Sequence, residues 1–279
     1  MAIISFYSGD KKETGQTLSM AAVATHMAVE HNYRILMVDA TFDDDTLERC
    51  FWKMNANNAV KMLNKGKLDI ANGAEGLISA VASNKATPEI VTNYTRVVFK
   101  NRLDVLCGLK TKIPEDFTKS LMLYKDLANT ANKYYDFVFL DLEKTLKKDT
   151  TRALLEASNL IIYNFSQNLR QCDLYAQDML ENRKIFTKDK LIPLLSDADD
   201  DSKYNVKNAT RYLKEKRELN QVLHNSNFME AASEAGVANL FLKTRVSKGA
   251  TDKNSLFINS VEGVCKTIEL KLEELKYKY

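Results

Sequence analysis

The sequence is poor in residues that punctuate or staple a chain, with three prolines, nine glycines, four cysteines and one tryptophan among 279 positions. No Gly/Ser-rich stretch and no repeat of fixed period interrupts it, so residues 1–279 are read as one domain. Cys50, Cys107, Cys172 and Cys265 lie far apart, which excludes a CxxC metal pair and a small disulfide framework and leaves reduced thiols as the expectation. His26, His31 and His224 have no ligand spacing among themselves or with the cysteines, so no zinc chemistry is assigned to them. No run approaches the roughly 18 to 20 apolar residues that a membrane helix needs. The apolar opening AIISFY lacks both a basic flank and a cleavage site, so it is not read as a signal peptide. A cytoplasmic protein is expected, with any membrane or cell-pole association peripheral. The net charge of +3 is too weak and too evenly spread to identify nucleic acid or membrane as a partner.

What the chain does have is 45% hydrophobic residues, arranged as short apolar runs between longer amphipathic stretches. The runs IISFY (3–7), RILMVD (34–39), LDVLCG (103–108), DFVFLD (136–141), LIIYNF (160–165) and KLIPLL (190–195) have the length and continuous apolarity of strands covered on both faces. Helices are expected near 44–53, 56–64, 73–84, 115–133, 148–157, 170–185, 205–217 and 254–275, and LSMAAVATHMAVEHN supplies one after the first strand. This order predicts an α/β fold with a doubly wound, mostly parallel sheet and helices on both faces. Ligands of such sheets bind at the carboxyl ends of the strands, and those ends are polar here: Ser8-Gly9-Asp10, Asp39, Asp141 and Asn164 to Asn168.

A phosphate loop needs small residues whose backbone N–H groups can face an anion, a helix N-terminus behind them, and a lysine with a Ser or Thr for magnesium. The segment ISFYSGDKKETGQTLSMAA meets part of this requirement. It resembles the opening of ParA/MinD-type ATPases, in which a hydrophobic strand runs into KGGxGKT[ST] and an Ala-rich helix. The resemblance places Lys11 at the signature lysine, Gly15 at the last glycine, Gln16 at the usual P-loop lysine and Thr17 at the magnesium hydroxyl. The nucleotide-binding set is then Lys11, Lys12, Glu13, Thr14, Gly15, Gln16, Thr17 and Leu18. RILMVDATFDDDTL resembles the segment that carries the family's aspartate, matched by Asp39, and YYDFVFLDLEKTL resembles its Walker B strand, ending in Asp141. Lys11 and Asp39 are the implied catalytic residues, and Thr17, Asp39 and Asp141 the implied magnesium set. The competing reading of the two aspartates is that they cap the helices that follow.

The resemblance implies ATP and Mg²⁺ as cofactors, a homodimer in which Lys11 reaches the partner's nucleotide, and a switch or scaffold that positions a cellular assembly such as a pilus or secretion apparatus. Lys12 and Glu13 stand at two glycine positions and Gln16 removes a cation, alterations familiar in the TadZ/CpaE-like branch; they point to weak or lost ATP hydrolysis. The alternative is an active partition-type ATPase with non-specific DNA binding, for which Lys243, Arg245, Lys248 and Lys253 are a modest basic cluster. DADDDSK (197–203) lacks the turn glycine and terminal glutamate of a calcium loop and reads as a solvated acidic loop. In the last segment Val261, Val264, Ile268, Leu272 and Leu275 form one helical stripe without Trp or Phe, expected to pack on the sheet rather than on a membrane.

Overall fold

The computed structural model describes residues 1–10, 14–53, 73–83, 87–143, 149–245 and 252–278. Eight strands form one sheet: β1 (Ala2–Tyr7), β2 (Ile35–Ala40), β3 (Arg96–Phe99), β4 (Leu103–Leu106), β5 (Phe137–Leu142), β6 (Leu160–Phe165), β7 (Leu191–Ala198) and β8 (Asn220–Leu223). Their spatial order is β3-β4-β2-β5-β1-β6-β7-β8, and every adjacent pair is parallel except β3 and β4. The first strand therefore lies inside the sheet between β5 and β6, where both of its faces are dry, and all six of its residues are buried.

The described helices are α1 (Gln16–Glu30), α2 (Thr46–Arg49), α3 (Ala74–Ala82), α4 (Pro114–Leu121), α5 (Tyr124–Ala131), α6 (Asp149–Ala157), α7 (Leu169–Glu181), α8 (Val206–Leu213), α9 (Ser226–Ser233), α10 (Val237–Arg245) and α11 (Lys253–Lys278). Two cores follow from the two-residue period of the strands. Ile4 and Phe6 of β1 join Met37, Phe139, Ile162 and Leu194 under α1, α2, α9, α10 and α11. Ile3 and Tyr7 join Leu36, Val138, Ile161 and Leu195 under α3 to α8. Helix α1 is covered by α10 and α11 as well as by the sheet, so its residues Met20 to Ala24 are all buried, and small alanines let the layers approach.

The six expected strands are present within two residues at their starts, and the last runs on to Ala198. The edge strands β3 and β8 were not expected. Each has four residues, Arg96 and Val97 are exposed, and β8 includes Asn220 and Gln221, so neither carries the continuous apolar run of a doubly buried strand. The single helix expected over 115–133 is two, α4 and α5, separated at Met122-Leu123, and that over 44–53 is only the turn Thr46–Arg49. The helix expected over 205–217 stops at Leu213 because Lys214 turns left-handed. The one over 170–185 ends at Glu181. Helices α9 and α10 were missed, and the expected helix over 56–64 lies outside the described residues.

The C-terminal stripe packs as expected. Val261, Val264 and Ile268 are buried in the α1-side core, and Leu272 and Leu275 are partly buried against it. Among the described residues no helix is long and apolar enough to cross a membrane. Ile268→Ala should lower the unfolding free energy by about 2–5 kcal/mol, whereas Leu270→Ala on the exposed side should change it by less than about 0.5 kcal/mol. Urea denaturation reads both, and equal midpoints for the two variants would place this helix off the core.

Candidate functional site

Alternation along the strands determines which polar groups meet α1. Ile35 and Met37 face it from β2, and two residues on stands Asp39; Phe137 and Phe139 lead in the same way to Asp141, Leu160 and Ile162 to Asn164, and Ile192 and Leu194 to Ser196. The apolar face thus turns polar at the carboxyl ends of four strands, where α1 begins. In the β2–β5 pairing Asp39 stands opposite Asp141, so two buried carboxylates are neighbours in register.

At the start of α1, Gln16 is buried, and its Nε2 donates to Asp141 Oδ1 at 2.5 Å and to the Leu142 carbonyl at 2.9 Å. Both partners are acceptors, which fixes the orientation of the amide. Its Oε1 is buried without a hydrogen-bond partner, as is Thr14 Oγ1. Gly15 caps the helix with φ at 63°, and a Cβ there would lie 2.8 Å from Ser196 Cβ, so both backbone conformation and space call for glycine. Thr17 is buried on the first turn, Leu18 packs partly buried against the α1-side core, and no acidic residue occupies that turn to oppose an anion. Lys11, Lys12 and Glu13 lie outside the described residues.

Asp39 is held from three sides. Its Oδ1 accepts from the Thr41 backbone N–H at 2.9 Å and from the Thr41 hydroxyl at 2.7 Å, and Tyr124 donates to its carbonyl at 3.2 Å. Gly108 follows β4 so closely that a Cβ would sit 2.6 Å from Asp39 Oδ2. Burial first, and then the Asp141 charge, push the Asp39 carboxyl up to about 8, against the opposing pull of Thr41. Burial likewise pushes the Cys50 thiol up to about 12, with Asp141 adding to the shift, so this thiol is no nucleophile.

The structure brings Gln16 and Asp141 into contact and sets Asp39 beside Asp141, with Thr17 one residue beyond Gln16. The sequence reading gave no site role to Thr41, Gly108, Ser196 or the Leu142 carbonyl; Gly108, the glycine closing LDVLCG, carried a visible signal. Oxygen donors from Thr17, Asp39 and Asp141 suit magnesium, which is usually bound by one or two carboxylates together with phosphate and water. The residues fit this ion with one Asp141 oxygen already engaged by Gln16, and among the described residues no His, Cys, Asp or Glu cluster holds a metal by itself.

The raised carboxyl at Asp39 has a defined pH signature. The folded chain holds this proton more tightly than the unfolded chain, so the stability it contributes is complete below the unfolded value of 3.8 and has been lost once the pH passes about 8. Asp39→Asn keeps an acceptor for Thr41 and removes the charge. It should flatten the fall in melting temperature between about pH 5 and about pH 8 and raise that temperature by several degrees at the alkaline end. Parallel melting curves for the two proteins would mean that Asp39 is ionised throughout that window.

Neither a protein-family model nor a curated protein matches this sequence. Solved structures do match its fold. A ParA family ATPase from Chlorobium tepidum superposes with a TM-score of 0.69 at 15% identity, over 94% of this chain and 96% of that one. The septum site-determining protein MinD from Pyrococcus horikoshii, complexed with Mg-ADP, gives 0.65 at 15% identity over 97% and 98%. A plasmid partition protein from Borrelia burgdorferi gives 0.52 at 17% identity over 87% and 98%. The fold of this chain is that of the ParA/MinD P-loop ATPases, an eight-stranded, mostly parallel sheet between two layers of helices.

Proposed function

We propose that this chain is a ParA/MinD-like, nucleotide-responsive switch or scaffold with weak or lost hydrolysis, acting in the cytoplasm as a homodimer to position a cellular assembly of the pilus or secretion-apparatus kind. The observation that carries this reading is the Gln16 amide donating to Asp141 and to the Leu142 carbonyl. Where a lysine would bring a full positive charge to phosphate oxygens, this chain places a neutral amide and ties it to the sheet. Charge building up on transferring phosphoryl oxygens would meet no ammonium from this position, which removes a large part of the stabilisation that phosphoryl transfer relies on.

Binding asks for less. The N-terminus of α1 offers backbone N–H groups and the positive end of its dipole to a phosphate, and Gly15 allows a close approach. Thr17 and Asp141 would hold magnesium, Asp39 would orient water beside it, and Lys11, as the resemblance has it, would reach the partner's nucleotide. Bound Mg·ATP supplies the charge that distinguishes the two states of such a switch. The TadZ/CpaE-like placement rests on the altered residues Lys12, Glu13 and Gln16. The competing reading, a partition ATPase that binds DNA, draws on the likeness in fold to ParA and requires turnover; in the basic cluster invoked for it, Arg245 is engaged by Glu30 at 3.6 Å and Lys248 lies outside the described residues.

Calorimetry with ATP and Mg²⁺ separates these possibilities. The wild type should bind at micromolar concentration without measurable turnover, Asp141→Ala should weaken binding by about tenfold or more, and Gln16→Lys should create or raise hydrolysis. DNA-stimulated hydrolysis by the wild type, abolished by Lys11→Ala, would instead establish the partition reading. No heat at millimolar ATP would leave a scaffold that kept the fold and lost the ligand.

A further inference from the structure

The loop that leads from β1 into α1 is held on the far face of the sheet as well. Tyr163 of β6 lies beside Tyr7 in the parallel register, and the two rings meet edge to face at 5.4 Å. The Tyr163 ring is buried among apolar neighbours, including Phe186 and Tyr175, yet it carries a hydroxyl. That hydroxyl donates to Asp178 Oδ2 of α7 at 2.6 Å and lies against Gly9. Gly9 is the second residue beyond β1. A Cβ on it would collide with the Tyr163 hydroxyl and lie 2.7 Å from Asp178 Oδ2. Helix α7 makes a second contact one residue on, where Arg170 Nη1 stands 3.2 Å from the buried Asp10 carboxylate.

A tyrosine and an aspartate here are costly residues. Burying a hydroxyl and half-burying a carboxylate loses hydration that a phenylalanine and a leucine would not have had to give up. What the polar pair adds is direction, because a satisfied buried network permits one geometry where apolar packing permits several. The bare backbone of Gly9, the buried hydroxyl and the carboxylate behind it form a single relay from α7 to the start of the loop.

We infer that Tyr163 and Asp178 are positioning residues for the phosphate loop, Asp178 holding the Tyr163 hydroxyl against the Gly9 backbone so that the chain leaves β1 in one direction towards the ligand. This inference rests on the nucleotide-binding reading above and deepens it. It makes α7 the element through which the α3–α8 layer communicates with the site on the opposite face.

The test uses the full chain and two readouts, amide hydrogen exchange at Gly9 by NMR and Mg·ATP affinity by calorimetry. Tyr163→Phe and Asp178→Leu should each accelerate exchange at Gly9 by about tenfold or more while leaving β6 amides protected. Asp178→Asn, which keeps an oxygen acceptor for the hydroxyl, should restore nearly wild-type exchange; a purely space-filling role would not separate Asn from Leu in this way. Gly9→Ala, which pushes on the hydroxyl while leaving the Tyr163 side chain itself in place, should reproduce the loosened state if Tyr163→Phe fails to fold. ATP affinity should fall about tenfold in step with exchange. Unchanged exchange in Tyr163→Phe and Gly9→Ala overturns the inference, as does a loosened loop that binds ATP as tightly as the wild type. If the wild type binds no ATP, the proposed function fails, and exchange at Gly9 alone then decides whether the relay holds the loop.

Discussion

Two carboxylates, Asp39 and Asp141, stand side by side on adjacent parallel strands, on the same face and out of water, and much of the local structure answers that arrangement. Like charges so placed cannot both be ionised cheaply, and Asp39 retains its proton to about pH 8. Asp141 receives the Gln16 amide, Asp39 receives two hydrogen bonds from Thr41, and Gly108 leaves the room beside the Asp39 carboxylate that a Cβ would fill. The same pair that asks for a cation in the middle of the sheet is met by a neutral donor from α1.

The sheet explains why these groups have such narrow freedom. With β1 between β5 and β6 and two layers of helices outside, each strand residue is committed to one of two dry cores by its parity. The described ends of the loop after β1 reach both cores. Its Gly15 end touches Ser196 on the α1 side, and its Gly9 end touches Tyr163 and Asp178 on the α7 side. In both places glycine is demanded by close approach to a side chain, and at Gly15 also by a left-handed backbone.

A fold shared with nucleotide-driven ATPases does not carry their chemistry with it, since chemistry resides in particular side chains. In the function proposed here the carboxylates, the helix N-terminus and the threonine hydroxyl would serve a nucleotide, and the cation is the part exchanged. A neutral amide can hold a carboxylate in place, but it cannot offset charge moving onto phosphate oxygens.

The central architecture was legible in the sequence because doubly buried strands must be continuously apolar, and six such runs, four of them read as ending in polar residues, are plain to see. Asp39 and Asp141 stood out as polar ends of apolar strands, and they, Gly15, Gln16 and Thr17 were given their roles by the resemblance of their segments to ParA/MinD-type ATPases. The short edge strands, the break at Met122-Leu123 and helices α9 and α10 were not legible, because edges and surface helices need only part of an apolar pattern. Which acceptors Gln16 would find, that Gly108 would press on Asp39, and that Tyr163 and Asp178 would reach Gly9 were decided by tertiary structure alone. Those contacts join residues from about 70 to 170 positions apart in the chain, and no local periodicity encodes a pairing created only when strands and helices stack.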